Sequence, residues 1–326
     1  MATDLPRHDQ VAPGYAGQLY DSHAHLVSDD LVRYPRKPMR ASAAGSSAAP
    51  SPFGPGMVGQ PGGFHGPNPV NEKPTAEQMR KWMAEENVCG IAAVQKGMIY
   101  GTDNSYIVDA AELFPDLMRA VIIVDPQAPG TPQMMHEFAQ RGIVGIRFFG
   151  VGVQDKRNWL SSPEALKVWQ LADELGVLVD IEAPPVGGEI LIPVIEEMAD
   201  RFPGLTIVLD HILMPAVTEA DFGIGPQFDG LAKRPNIFVK FTSLNMDVIR
   251  EQGVDPAAFL RRAVSFFGAA KVMWGSDIGT SSGTYKEMVA RGIAATALLS
   301  PDERLQVLHD TGRRVFGGWA GSVDGA

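Results

Sequence analysis

Short apolar runs rich in β-branched residues alternate along the chain with segments in which apolar residues recur every three or four positions. The runs lie at 19–26, 89–95, 118–124, 143–150, 177–184, 206–213, 236–243 and 272–279. Most of them are apolar almost throughout, which is typical of parallel strands covered on both faces. The segments between them have the periodicity of amphipathic helices. The pattern therefore predicts eight parallel strands, each followed by a helix or a crossover.

Several predicted helices carry recognisable end signals. Thr75 and Gln78 have the spacing of a capping box. Thr131 and Ser162 each precede a proline, and we predict that each is an N-cap with proline in the first helical position. Gly176 follows an apolar helical segment and is predicted to end it.

This succession of elements predicts the fold class. Alternating strands and helices in this number match an α/β protein of the (β/α)8, or TIM, barrel type. We predict one barrel domain at 19–326 after an N-terminal tail at 1–18. A doubly wound open sheet is the alternative. Such a sheet usually has a glycine-rich phosphate-binding turn after its first strand, and none follows here.

One segment lacks any apolar period. Residues 41–69 are dominated by Pro, Gly, Ala and Ser, a composition that cannot bury enough surface to form a core. Too few residues precede it for a separate domain. We therefore predict a Pro/Gly-rich insertion at 41–73, after strand one. Arg33, Arg36 and Lys37 begin this loop, and we predict that 33–73 is a lid whose basic start attracts an anionic substrate.

Composition narrows the range of partners. The chain of 326 residues is 45% hydrophobic and carries a net charge of −10 without a basic stripe, which argues against nucleic acid and anionic membranes as partners. Cys89 is the only cysteine, and no apolar secretion signal begins the chain, so we expect a cytoplasmic protein. We expect a small anionic substrate as its partner and leave a homo-oligomer open.

Ionisable residues recur where the predicted strands end. In a barrel these ends meet at one mouth, where the active sites of TIM-barrel enzymes lie. Burying so many charges is costly unless they are paired or bind a metal. We therefore predict an active site there. The residues concerned are His23, His25, Arg147, Glu182, Asp210, His211, Lys240 and Asp277.

The first strand has the pattern of a metal site. Strand alternation predicts that Asp21, His23 and His25 project to the same face. Two imidazoles from one strand can bind one cation, and Asp277 on strand eight would be a neighbour in a closed barrel. This donor set suits a divalent metal, Zn²⁺ or Mn²⁺.

The motifs at these positions resemble those of a known family. "YDSHAHL" on strand one and "GSDIG" on strand eight resemble the signature of the amidohydrolase superfamily. "LDHILMP", "NIFVKFTSLN" and above all "YGTDNSYIVDA" resemble its lactonase-containing branch, the amidohydrolase-2 or metal-dependent TIM-barrel hydrolases. The resemblance spans 19–316. It implies a metal held by His23, His25 and Asp277, with His211 as a supporting or acid/base residue and Asp277 as the group that activates the hydrolytic water.

The sequence departs from this family at strand five. The family usually has a histidine there, whereas this chain has Glu182. A carboxylate can bind a divalent cation, so Glu182 is a candidate ligand in a harder and weaker site. Because some lactonases of this branch are thought to work without metal, a metal-free site stays open.

Other residues at the mouth are candidates for substrate binding. Arg147 suits a substrate carboxylate, or it forms a salt bridge with Glu182. Lys240 could hold an anion or neutralise acidic neighbours. Tyr100 and Asn104 follow strand two, and Asn104 also has the position of a helix cap.

These observations lead to one functional hypothesis and three alternatives. The hypothesis is a hydrolase that opens a lactone of a small carboxylated compound, such as a sugar-acid or aromatic-catabolite lactone. A non-oxidative decarboxylase of the same superfamily and a non-catalytic binding barrel are alternatives. The third is a serine hydrolase using Ser281 in "GTSSG", with His309 and Asp310 downstream. The order of these residues disfavours it, because in α/β-hydrolases the acid precedes the histidine.

Overall fold

A single parallel sheet organises the protein. The structure, a computed structural model, describes residues 15–37, 72–151, 153–182 and 188–317. The sheet has eight strands, and their spatial order follows the chain. They are β1 (Leu19–Ala24), β2 (Val88–Val94), β3 (Met118–Val124), β4 (Gly145–Phe149), β5 (Leu178–Glu182), β6 (Ile207–Leu209), β7 (Ile237–Thr242) and β8 (Val272–Gly275).

Helices connect the strands and cover the outside of the sheet. They are α1 (Ala76–Glu85), α2 (Gly97–Tyr100), α3 (Ser105–Leu113), α4 (Thr131–Ala139), α5 (Lys156–Ser161), α6 (Pro163–Leu175), α7 (Gly188–Arg201), α8 (Asp229–Lys233), α9 (Ser243–Glu251), α10 (Pro256–Phe267), α11 (Tyr285–Ala295), α12 (Pro301–Leu305) and α13 (Thr311–Phe316). Among these described helices, none is long and apolar enough to cross a membrane.

The sheet curls until its first and last strands meet. The amide of His25 donates to the carbonyl of Ile278 at 3.1 Å, and the amide of Asp277 donates to the carbonyl of His23 at 2.7 Å. The strands approach so closely that a Cβ at Gly275 would lie 2.7 Å from the Cβ of His23. The predicted (β/α)8 barrel is therefore confirmed, and the open doubly wound sheet is wrong.

The interior of the barrel changes from apolar to charged along the strands. Leu178 and Val208 belong to a buried apolar cluster inside the barrel. Two positions later come Asp180, on β5, and Asp210, directly after β6, both fully buried. Because alternate strand residues share a face, these carboxylates point inward above the apolar layer. The charged layer therefore lies towards the ends of the strands, where the active site was predicted.

Most of the predicted helix ends are observed. Thr75 and Gln78 form the reciprocal capping box of α1. The Ser162 side chain caps α6, and Gly176 ends this helix in the left-handed conformation, with φ of 67°. The prediction for Thr131 is wrong. Gly130 is the N-cap of α4, because the Thr131 hydroxyl donates instead to a carbonyl of the preceding loop.

Strand β1 does not alternate strictly, so the predicted grouping of Asp21 with the two histidines is wrong. The register of β1 against β2 shifts between Asp21 and Ala24, as at a β-bulge. The Asp21 carboxylate turns towards α11, where it accepts from the Tyr285 hydroxyl at 3.2 Å. It also accepts from the amide of Ser276 at 2.8 Å. Asp21 therefore fastens β1 to β8 and does not face the site.

The predicted lid falls largely outside the described residues, as does the predicted insertion at 41–73. Its basic start is described. Arg33 and Lys37 pair at 2.7 Å with carboxylates of α3 and of the turn before it. Arg36 donates to the hydroxyl of Tyr100 at 2.5 Å. The lid, the domain limits and the cytoplasmic location stay predictions.

Candidate active site

Three potential metal ligands converge where β1 and β8 end. His23 Nε2 lies 3.3 Å from His25 Nε2. Asp277 Oδ1 lies 3.2 Å from His25 Nε2 and 3.6 Å from His23 Nε2. All three side chains are buried. The three atoms therefore form a nearly equilateral triangle at the mouth of the barrel.

The size of this triangle fits a transition-metal ion. Tetrahedral Zn²⁺ binds nitrogen and oxygen at about 2.1 Å, which separates neighbouring ligand atoms by about 3.4 Å. The three observed separations, 3.2 to 3.6 Å, bracket that value. The residues present could therefore hold such an ion without rearrangement.

Hydrogen bonds behind the two histidines orient their rings. His25 Nδ1 lies 2.8 Å from the carbonyl of Val94, which only accepts, so the proton is on Nδ1. His23 Nδ1 lies 3.2 Å from Asp210 Oδ1, and a proton there can be donated to the carboxylate. The Lys240 ammonium group lies 3.2 Å from the same Nδ1 of His23. With the proton on Nδ1, each ring leaves a lone pair on Nε2, as is usual for histidines that bind metals.

The environment sets the protonation of these groups. Burial holds the pKa of His23 well below its usual value. Burial and the charge of Lys96 lower the pKa of His25 to about 4. Burial alone would raise the pKa of Asp277, but the proximity of His25, His23 and His211 holds it below its usual range. At neutral pH the site therefore has two neutral imidazoles and a carboxylate, the forms that bind metal.

Two residues of the site have strained backbones. The φ angles of His211 and Asp277 are 53° and 51°, in the left-handed region. Residues 212–214 share this conformation, which costs about 1–2 kcal/mol per residue. The segment after β6 and the turn after β8 are thus held in unfavourable conformations by the packing around them. Strain of this kind clusters at functional sites.

His211 lies beside the triangle. Its ring centroid is 5.2 Å from that of His23, and its Nδ1 shares a 2.7 Å hydrogen bond with the Thr242 hydroxyl. His23, Asp210 and His211 form a second grouping whose ligand atoms all lie within 4.8 Å of one another. His211 is therefore adjacent to any group held at the first three ligands.

The other predicted site residues at these strand ends form a buried ion-pair network. Arg147 contacts Glu182 at 2.6 Å and Asp210 at 2.7 Å. Lys240 contacts Asp180 and lies 3.0 Å from Asp210 Oδ1. Glu182 thus lies in an ion pair with Arg147, outside the triangle of metal ligands. The role of Glu182 as a ligand, and of Arg147 and Lys240 in substrate binding, stays a prediction.

Tyr100 and Asn104 fasten loops around the mouth. The Tyr100 hydroxyl accepts from the amide of Ser28 at 2.8 Å. The Asn104 side chain accepts from the amide of Ile123 and donates to its carbonyl, both at 2.9 Å. Asn104 has the N-cap position of α3 but makes no capping bond through its side chain. Binding of substrate by either residue also stays a prediction.

Ser281 contacts Asp277 and supports the aspartate. Its hydroxyl donates to Asp277 Oδ2 at 3.0 Å. His309, which the serine-hydrolase alternative requires, instead contacts Asp310 at 2.7 Å. The serine therefore has a direct role in orienting the carboxylate of the triangle.

Sequence reasoning missed Lys96, which follows β2 at the same mouth. Its ammonium group donates to the hydroxyl of Thr280. Burial lowers the pKa of Lys96 to about 8, although the carboxylates of Asp277 and Glu182 oppose this shift. The signal was present, because Lys96 lies two positions after the inward-facing Val94.

Comparison with known proteins places the chain in a family. The family profile described as amidohydrolase matches residues 20–318. The chain belongs to the amidohydrolase family. The resemblance inferred from the motifs on strands one and eight is therefore confirmed. No curated protein matches the sequence.

Solved structures share the fold at low identity. A probable 2-pyrone-4,6-dicarboxylic acid hydrolase from Acinetobacter baumannii, with citric acid bound, is 18% identical with a TM-score of 0.64, over 92% of this chain and 99% of that one. An amidohydrolase from Burkholderia multivorans with bound zinc is 17% identical with a TM-score of 0.63, over the same shares. A 2,6-dihydroxybenzoate decarboxylase from Rhizobium is 11% identical with a TM-score of 0.61, again over 92% and 99%. At these identities the likeness shows the fold alone.

Proposed function

We propose that the protein is a hydrolase that opens a lactone of a small carboxylated compound. The observation that carries this proposal is the convergence of His23 Nε2, His25 Nε2 and Asp277 Oδ1 within 3.6 Å at the barrel mouth. Membership of the amidohydrolase family supports hydrolysis. The fold shared with a protein named as a probable hydrolase of a pyrone dicarboxylic acid supports a carboxylated lactone as the substrate.

His23, His25 and Asp277 would hold a divalent cation. Such a cation, when bound, supplies polarisation of a carbonyl and acidification of water. Zinc bound in the fold relative from Burkholderia multivorans supports a divalent cation in this fold. With two neutral imidazoles and one carboxylate as ligands, half of the charge of a divalent cation would be left uncompensated, which would favour binding of an anionic substrate.

Asp277 is the group that takes a proton from the attacking water. Its carboxylate is ionised, and the Ser281 hydroxyl fixes Oδ2. The water oxygen bonds to the lactone carbonyl carbon, the ring carbon–oxygen bond breaks, and the released oxygen takes up a proton. Thr242 holds His211 through Nδ1, so Nε2 is the ring atom available to exchange that proton.

Decarboxylation is the second candidate. It is favoured by one observation, the fold shared with decarboxylases such as that from Rhizobium. The same residues would then hold an ortho-hydroxy acid, and carbon dioxide would leave. Release of carbon dioxide in place of a new carboxylic acid distinguishes this reaction from lactone opening.

The test of the proposal is Asp277→Asn, assayed on a panel of carboxylated lactones. Loss of the proton acceptor should lower kcat/KM by about 10²–10⁴-fold. Asp302→Asn, at an exposed position on α12, is the matched control and should keep wild-type activity. Near-normal turnover by the Asp277 variant would show that this carboxylate is not the base.

A further inference from the structure

Lys96 stands apart from the other buried cations around the site. Only 9% of its surface is exposed. Arg147 and Lys240 each contact two carboxylates within 3.0 Å. Among the described residues, no carboxylate forms an ion pair with Lys96, and its ammonium group donates to the Thr280 hydroxyl. Within the described residues, Lys96 is thus a buried cation whose charge is not matched by a carboxylate in direct contact.

The position of Lys96 brings this charge to the reacting groups. His25 Nδ1 donates to the carbonyl of Val94, the last residue of β2, two residues before Lys96. The charge of Lys96 lowers the pKa of His25, and the charge of Asp277 raises the pKa of Lys96, so the three groups are close to one another. Thr280, its hydrogen-bond partner, lies three residues after Asp277. Lys96 therefore reaches across the mouth from β2 to the turn after β8.

Burying a cation without a counter-ion is unfavourable, so a compensating partner is expected. We propose that Lys96 binds the carboxylate of the substrate and is the specificity residue for anionic lactones. This inference rests on the proposed function for the identity of the substrate. The role differs from that of Arg147 and Lys240, because their charges are already matched by protein carboxylates.

Neighbouring charges support an anion at this place. The positive charges of Arg147 and Lys73 lower the pKa of Lys96. The charge of Arg36 lowers the pKa of Lys73 in the same way. The carboxylates of Asp277 and Glu182 raise the pKa of Lys96. Lys73, at the end of the loop after β1, is therefore close enough to Lys96 for their charges to interact, in a protein whose net charge is −10. Such a field concentrates anions at a cleft.

Binding of an unreactive dicarboxylate tests the inference without turnover. Isophthalate carries two carboxylates on a planar six-membered ring and has no bond to hydrolyse. Calorimetric titration of the full chain should show binding that is weakened about 10- to 100-fold in Lys96→Met, as for loss of one partner of a buried charge pair. Lys96→Arg keeps the charge and should bind within about fivefold of wild type.

Lys81→Met is the matched control. Lys81 is 75% exposed on α1, so the variant makes the same change in net charge away from the site and should bind as wild type does. Absence of isophthalate binding by wild type, or equal binding by wild type and Lys96→Met, would overturn the inference. Lys96-dependent binding without lactone hydrolysis would leave the inference intact and contradict only the proposed reaction.

Discussion

Two buried lysines at the site have opposite electrostatic situations. Lys240 contacts Asp180 and Asp210 and has no exposed surface. Lys96 has a hydroxyl partner and no ion pair in the described part of the chain. Removing one partner of a buried ion pair leaves the other charge uncompensated, whereas removing an unpaired buried charge removes the cost of burying it. The same substitution should therefore have opposite effects on stability at these two positions.

We predict that Lys240→Met lowers the free energy of unfolding by about 3–5 kcal/mol, because it leaves buried carboxylates without their cation. Lys96→Met should raise the free energy of unfolding by about 1–3 kcal/mol at pH 7, since folding lowers the pKa of Lys96 from 10.5 to about 8. Between pH 8 and pH 10.5, Lys96 binds a proton in the unfolded chain but not in the folded protein. The gain is therefore full below pH 8 and shrinks as the pH rises towards 10.5.

Urea denaturation of both variants and wild type at several pH values measures these differences. Lys81→Met provides the baseline for loss of an exposed lysine. Equal stabilities for the two buried-site variants at pH 7 would contradict this account of the charges.

Single residues also show how far the sequence predicted the site. His23, His25, His211 and Asp277 could be recognised because strand ends in a barrel share one mouth. Asp21 could not be assigned correctly, because a register shift within β1 reverses the face that strict alternation gives it. Partners of buried charges, such as Asp180 for Lys240, depend on distances across the barrel that no local pattern contains.

At the scale of elements, the junction of β8 with β1 positions the site. Hydrogen bonds join the backbone of His23 to Asp277 and that of His25 to Ile278. Both histidines and the aspartate therefore depend on how closely the two strands approach. Gly275 permits this approach, since a Cβ there would lie only 2.7 Å from His23 Cβ.

We predict that Gly275→Ala lowers the free energy of unfolding by about 1–3 kcal/mol, because the added methyl group overpacks the junction. It should also weaken zinc binding, since His23 must move to make room. Thermal denaturation and competition with a chelator measure the two effects. Gly204→Ala is the control, because its Cβ would lie 3.6 Å from the nearest atom, an ordinary contact. Wild-type stability and zinc affinity in Gly275→Ala would contradict this role of the junction.

Element prediction succeeded where periodicity was strong and failed where tertiary contacts decided the ends. All eight strands occur inside the predicted runs, except that β2 begins one residue earlier, but several end two to four residues before the run does. The run at 206–213 gave only a three-residue strand, because the chain turns left-handed from His211. Thr131 does not cap α4, because its hydroxyl donates to the carbonyl of Asp125 in the preceding loop. The local sequence does not identify this partner.

At the scale of the whole molecule, closure of the barrel turns separate strand ends into one site. Residues at or directly after the ends of β1, β2, β4, β5, β6, β7 and β8 meet there only because the last strand returns to the first. The sequence predicted this architecture from the count and order of its strands. It could not distinguish which charged residues are matched by one another and which remain for a ligand, because that division depends on three-dimensional distances.

The central claim is that the site of His23, His25 and Asp277 opens a carboxylated lactone with water. Turnover in ¹⁸O-labelled water of a carboxylated lactone that the panel shows to react, followed by mass spectrometry of the product and of released gas, tests it most directly. We predict that one ¹⁸O atom enters each product molecule as a new carboxylate, that no carbon dioxide is released, and that Asp277→Asn abolishes the incorporation. Two results would contradict the account. One is release of carbon dioxide with no ¹⁸O in the product, and the other is equal ¹⁸O incorporation by Asp277→Asn and wild type.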